Sequence, residues 1–324
     1  MTKEYGGYLP LELPKDRGHY YISKTSESVL KLNSGRTAFY CAALDSGMER
    51  IHLPYFTCKE TRLPFDDLGI EVVEYFIDEN FMPKLTEYSE KDYVLWTNYY
   101  GNSSQEIIDA VIRIYPNLII DNCHAFFSQP MEGAYNCYSA RKFFGVNDGA
   151  YLIKSSLSSF DQLQIDQSTS HARHLIDQIE SGTNSGYLSS LNNEERLLGN
   201  YKKMSRFTEK ILGTLNYEDI KIRRRENFLA YQETLQLLNS FPIDLTSETH
   251  FYYPFLFEQE NLRDELIKKK VYNPQWWKHV IDKLPETSFE SRLAKFTILL
   301  PLDQRYESQD IQDVCKILLK CIER

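Results

Sequence analysis

The chain has 324 residues, 42% of them hydrophobic and 26% charged, with a net charge of −9. That composition excludes disordered, collagen-like and coiled-coil classes, and the length suits about two domains of roughly 150 residues each. The acidic balance argues against nucleic acid as a partner, because phosphate backbones need a basic face.

The N-terminal stretch carries no apolar core of signal-peptide type, and no run of 18 apolar residues occurs, so no membrane partner is expected. Six cysteines (41, 58, 123, 137, 315 and 321) form no CxxC pair and no regular framework. They read as reduced thiols of a cytoplasmic protein.

In chain order, VLKLNSGRTAFYCAAL starts extended, turns at Ser-Gly and continues as a helix. RIHLPYF predicts a strand ending at Pro54, and GIEVVEYFID a second one. KDYVLWTNYYG predicts a third strand ending at Gly101. SSQEIIDAVIRIYP is a helix capped by Ser103 or Ser104, with Glu106 near the capping-box position. NLIID is a fourth strand closed by Asp121, and GAYNCYSARKFFGVNDGAYLIK gives a strand, an irregular loop and a strand. This alternation predicts an α/β fold with a mostly parallel sheet and helices on both faces. Residues 156–235 read as mostly helical, with SLNNEERLLGNYKKMSRFTEKILGTL as one periodic stretch. HFYYPFLFE (strand), ENLRDELIKKK (helix), AKFTILLPL (strand) and a terminal helix then suit a smaller α+β domain. We expect a large domain over 1–215 and a small one over 216–324.

Ligands of open α/β sheets bind at the carboxyl ends of strands. Asp121 stands at such an end, with His124 three residues on; alone, each could be a turn cap or a structural histidine. Lys142 lies among aromatics in YSARKFFGVNDG, where desolvation would make its amine nucleophilic; a surface lysine is the plain alternative. SGRTAF opens a helix whose first-turn N–H groups and dipole favour an anion, with Ser34 and Thr37 as hydroxyl donors. Capping alone would also explain it. No metal-ligand pattern is present. Arg223, Arg224 and Arg225 could be a solvated face or could pair with a diphosphate. Trp276 and Trp277 in VYNPQWWKH could be packing or a substrate wall, Tyr272 is a similar case, and His250 reads as structural.

Taken together, an anion-binding helix start, a strand-end D-x-x-H and a lysine before a glycine turn have the layout of a fold-type-I pyridoxal-phosphate (PLP) enzyme. The sequence resembles the DegT/DnrJ/EryC1/StrS family of PLP-dependent sugar aminotransferases. LNSGRTAFYCAAL is similar to that family's SSGTAALHLAL helix, IHLPYFTC to VIVPSFTF, NYYGN to HLYGN and IIDNCHAFF to IEDAAHAFG. YSARKFFGVNDGAYL is similar to the lysine-bearing SFxxxKxxxxGDGG segment. LGNYKKMS, RRRENF and LPLDQRY resemble GYNYRMS, KRRENA and LPxxP.

The resemblance implies a mostly parallel mixed sheet in the large domain and the following roles. Lys142 would hold the cofactor and shuttle the proton, Asp121 would pair with the pyridine nitrogen, and His124 would lie beside the ring. Ser34, Gly35, Arg36 and Thr37 would bind the phosphate. Asn200 would match an asparagine reaching a neighbouring subunit's phosphate, which implies a homodimer; without a gap Tyr201 aligns there. Glutamate would donate the amino group and a nucleotide-linked sugar would accept it, for polysaccharide or glycoconjugate biosynthesis. Members that instead remove a sugar hydroxyl carry histidine in place of the lysine, and a regulatory protein of the same fold is a further alternative. The sequence departs from the family at four positions. Cys137 stands where a serine precedes the lysine, with Ser139 nearby to substitute. Cys58 stands where an aromatic stacks on the ring, so Phe56, Tyr55, another aromatic or a thiol must cover it. Arg36 replaces a small residue, and the dimer asparagine is shifted.

Overall fold

A computed structural model describes residues 5–247 and 250–322. Its main feature is an eight-stranded sheet. The chain enters it as β1 (Ser28–Leu32), followed by helix α1 (Gly35–Ser46), β2 (Arg50–Pro54), a short helix α2 (Leu63–Asp67), β3 (Glu71–Ile77) and β4 (Pro83–Lys84). It continues with β5 (Tyr93–Thr97), α3 (Gln105–Ile114), β6 (Leu118–Asp121), β7 (Tyr135–Ser139) and β8 (Ala150–Lys154). The spatial order is β1-β8-β7-β6-β5-β2-β3-β4. The five strands β7, β6, β5, β2 and β3 are mutually parallel, while β8 and β4 run against their neighbours. β1 pairs antiparallel to β8 and so points the same way as β7.

Consecutive side chains of the central strands serve opposite faces, as an α/β sheet covered on both sides requires. Leu95 and Ile119 pack under α1 with Ala38, Ala42 and Leu152, whereas Val94, Trp96, Leu118 and Ile120 pack with Ile108 and Val111 of α3. Ser104 caps α3, its hydroxyl accepting from the Ile107 amide, and Ser34 caps α1 in the same way from Thr37.

Helices α4 (Arg173–Ser181), α5 (Tyr187–Arg196), α6 (Arg206–Thr214) and the long α7 (Tyr217–Leu235) follow. The stretch expected to be one helical run is broken at residues 197–205. Gly199 there takes φ 61°, and Lys203 forms bridges to Leu32 and Ile165. The C-terminal part holds β9 (Tyr253–Leu256), α8 (Leu262–Lys268), α9 (Lys278–Lys283), α10 (Phe289–Phe296), β10 (Thr297–Leu300) and α11 (Ser308–Ile322). β9 and β10 form a two-stranded antiparallel sheet over a core of its own, from Phe228 and Tyr231 to Leu318. Three expected strands are shorter in the structure: β5 ends at Thr97, before a 3-10 turn over Tyr99–Gly101, β9 is confined to Tyr253–Leu256, and Ala294 to Phe296 belong to α10. All six cysteines are unpaired. Among the described residues no helix is long and apolar enough to cross a membrane.

Candidate active site

Because β1 and the five parallel strands share one direction, their carboxyl ends meet at one edge of the sheet. That edge receives the N-terminus of α1 after β1, Thr57 and Cys58 after β2, Asp121 at the end of β6 and Ser139 at the end of β7. These residues surround a cavity of about 220 Å3, which His124, Arg141, Lys142, Glu194 and Trp277 also line.

Lys142 is delivered by a 3-10 turn, Ala140–Lys142, directly after β7. The loop behind it is tied down. Asp148 accepts from the Ser205 amide and hydroxyl, each at 2.7 Å, and from the Thr208 hydroxyl. Gly149 takes φ 124°, a conformation strained for any other residue, and donates its amide to Asn33 O at 2.7 Å, with the Thr208 methyl in tight contact. Lys142 Nζ and His124 Nε2 are hydrogen-bonded at 2.8 Å. Burial and the adjacent Lys142 push the His124 pKa well below its ordinary value, so the ring is neutral. His124 Nδ1 is buried without a partner. Tyr100, held at φ 57°, lies in a nearly parallel plane 5.9 Å from the imidazole. Trp276 packs against the same ring at 4.6 Å and lies 5.2 Å below Lys142 Nζ.

Asp121 stands at the other side of the cavity. Its Oδ1 accepts the Cys123 amide at 3.0 Å, and burial raises its pKa against the opposing pull of Lys142. A third group of charges gathers at the start of α1. The first-turn amides of Gly35 and Arg36 have no acceptor within the helix. Arg36 Nε and Nη2 are buried without a hydrogen-bond partner. Arg141 joins them, its pKa lowered to about 10 by burial and by Arg36. Between the two arginines sits the Glu194 carboxylate of α5, ion-paired to Arg141 and 3.7 Å from Arg36 Nη2.

The residues present fit pyridoxal phosphate. An anion seat with unpartnered guanidinium N–H groups lies at one end of the cavity, a primary amine with a neutral imidazole at another, and a buried carboxylate between the strands. The floor is closely fitted as well: a Cβ added at Gly35 would come within 2.7 Å of Cys123 Sγ.

Seven of the residues expected from sequence meet here: Ser34, Gly35, Arg36, Asp121, His124, Ser139 and Lys142. Three do not line the cavity. Thr37 donates its hydroxyl to Asn33 Oδ1 at 2.6 Å and its amide to Ser34 Oγ, so neither is left for an anion. Cys137 points into the core beneath α1, and Ser139, two residues on along the same strand face, reaches the cavity in its place. Asn200 lies beyond the cavity, its carbonyl held by Asn33 Nδ2 at 2.8 Å, while Tyr201 stacks on Tyr40 at 3.9 Å. Arg141, Glu194 and Trp277 were not picked out as cofactor-site residues from sequence. Arg141 left a signal as the basic neighbour of Lys142, and Trp277 one as an aromatic that could pack or line a substrate site; Glu194 left none and arrives through long-range packing.

A second cavity of about 500 Å3 adjoins the first across Arg141, Lys142 and Glu194, which line both. Its far wall carries Phe251, Arg224 and Arg305. The basic run separates into three roles. Arg223 lies near Glu226 on the surface, and Arg225 donates to the Ser247 and Leu245 carbonyls. Arg224 is buried, donating to Phe251 O at 2.7 Å and to Gln304. Arg305 is held bidentately by Asp303, at 2.7 and 2.9 Å, and Arg292 pairs with Glu258 outside the cavity.

No family model matches the sequence, and no curated protein does either. Solved structures do match over nearly the whole chain. The sugar aminotransferase CalS13 from Micromonospora echinospora is 13% identical, with 90% of this chain and 87% of that one covered at a TM-score of 0.61. A DegT DnrJ EryC1 StrS aminotransferase from Brucella abortus is 13% identical, with 91% and 86% covered at 0.60. The E. coli GDP-4-keto-6-deoxy-D-mannose-3-dehydratase, solved with bound hydrated PLP, is 15% identical, with 93% and 90% covered at 0.61. The chain therefore has the fold of the fold-type-I PLP-dependent transferases.

Proposed function

We propose that this chain is a PLP-dependent aminotransferase that moves an amino group from glutamate to a keto group of a nucleotide-linked sugar, in polysaccharide or glycoconjugate biosynthesis. The observation that carries the reading is the Lys142–His124 contact of 2.8 Å, in one cavity with Asp121 and the arginine-lined start of α1. Bound there, the cofactor supplies an electron sink for the carbon that exchanges its amino group. Lys142 Nζ would hold the cofactor and would move the proton at that carbon. His124, neutral and hydrogen-bonded to Lys142, keeps the amine in place. Asp121 has one oxygen not taken by Cys123, which would hold a proton for the cofactor's ring nitrogen. Arg36, Arg141 and the first-turn amides of α1 would hold the phosphate. The 500 Å3 cavity beyond Lys142 would take the substrates; Arg141, Arg224 and Arg305 line it together with the Glu194 and Asp303 carboxylates.

The same reading makes the chain a cytoplasmic homodimer. Its six unpaired thiols suit a reducing compartment. Exposed apolar side chains on α4 and α5, among them Ile179 at 85% and Leu188 at 72%, suit burial against a second copy. In that dimer Asn200 or Tyr201 would reach toward the partner's cofactor. We place the start of the small domain at residue 216, just before α7; the separate core from Phe228 to Leu318 supports this. A sugar dehydratase shares the fold, but Lys142 stands where the resemblance puts histidine in such members.

The test is amino transfer by the purified, PLP-loaded protein. Glutamate should yield one 2-oxoglutarate per site, and a nucleotide-linked keto sugar should then be aminated. Pyruvate or oxaloacetate outcompeting every such sugar would contradict the acceptor assignment.

A further inference from the structure

Trp277 comes from the C-terminal part of the chain yet lines the cavity of Asp121, His124 and Lys142. Its backbone sits in the left-handed region, φ 57° and ψ 41°, a conformation that an indole-bearing residue rarely adopts without support. The support is visible. The ring packs edge-on against Phe56, centroids 4.5 Å apart at 89°, and against Tyr99 at 5.9 Å and 72°. Its plane lies within 12° of the His124 imidazole, 5.7 Å away.

The turn after β2 supplies no aromatic face of its own. Cys58 lines the cavity there, its thiol donating to Glu60 Oε2 at 2.8 Å and pushed up to about 11 by burial and that carboxylate. Tyr55 turns away to Phe76, with Lys283 Nζ over its ring. Phe56 is buried in the core and braces Trp277 from behind. Phe39 touches the cavity from within α1 but is spent packing on Phe65. Trp277 is thus an aromatic with a flat face left for a ligand beside Lys142.

We propose that Trp277 stacks on the pyridine ring of the cofactor, so that the C-terminal part of the chain closes the face that Cys58 leaves open. The inference rests on the PLP reading above. It also makes retention of the cofactor depend on how α9 docks over the sheet edge. Trp277 is a positioning residue here, since stacking holds the ring flat without exchanging a proton with it.

The experiment measures PLP affinity and the visible-range circular dichroism of the bound cofactor in wild type, Trp277→Phe, Trp277→Leu and Trp276→Leu. Leucine keeps apolar bulk but has no π face, so Trp277→Leu should loosen PLP by about 5- to 100-fold, the usual worth of an aromatic stack on a flat heterocycle. It should also diminish the dichroism. Trp277→Phe should stay within about threefold of wild type, and Trp276→Leu should change affinity less than Trp277→Leu. If Trp277→Leu binds PLP as tightly as Trp277→Phe, with unchanged dichroism, the stacking assignment is wrong. A wild-type protein that takes up no PLP would instead overturn the cofactor reading itself.

Discussion

Asp121 has one carboxylate oxygen committed to the Cys123 amide, which leaves the other to hold a proton in the cavity. Asp121→Asn keeps the shape and loses that capacity. PLP should still bind, and transamination should fall on the order of 10²–10⁴-fold, the usual worth of a positioned proton-holding group. Half-reaction rates near wild type would contradict the role. His250 makes a different kind of prediction. It lies flat on Phe228 at 3.6 Å, with both ring nitrogens buried and unpartnered, and burial pushes its pKa down to about 3. Below the unfolded value of about 6.5 the unfolded chain takes up a proton that the folded chain refuses, so stability is lost as pH falls from there toward 3. The loss amounts to about 1.4 kcal/mol per pH unit for each such histidine, and His124 adds in the same direction. His250→Phe should remove one histidine's share of that slope in denaturant titrations between about pH 6 and 4; an unchanged slope would contradict it. At this scale the shared place of Asp121, His124 and Lys142 in one cavity was legible through the family resemblance, since alone each residue had a plain structural alternative. Trp277 was noted only as packing or substrate wall, because nothing local says which cavity a distant segment covers.

Helix α1 shows how one element divides its polar groups. Ser34 and Asn33 absorb the Thr37 amide and hydroxyl, and the anion seat is left to Gly35, Arg36 and the incoming Arg141. Glu194 of α5 lies in that seat as an internal anion. Glu194→Gln should therefore tighten binding of PLP, and of inorganic phosphate, on the order of 10-fold, since a charge-assisted contact is freed for the ligand. Phosphate-dependent protection against thermal unfolding reads this directly, and weaker protection in the variant would show that Glu194 supports the arginines instead. The helices α5 and α6 were read from sequence as one stretch because apolar spacing continues across residues 197–205. The break is set by tertiary pairing of Lys203 with Leu32 and Ile165, which periodicity does not report. The tail of α10 was read as strand for a related reason: KFTILL is β-rich, but its first residues stay helical before β10.

The sheet as a whole brings the charged groups together. Reversal of β8 lets β1 run with β7, so α1 starts beside the ends of β6 and β7. Alternation of apolar and helical segments made the parallel sheet legible, while the strand order and the small β4 edge were not, since pairing partners are chosen by three-dimensional packing. Oligomeric state belongs to this scale. Sedimentation should give a dimer through the apolar faces of α4 and α5, and a monomer that binds PLP and turns over would contradict it. Everything proposed for the cavity depends on the amine at its centre. Borohydride reduction of the PLP-loaded protein, followed by peptide mapping, should find the cofactor on Lys142 and at no other lysine; an adduct elsewhere, or none at all, would contradict the account.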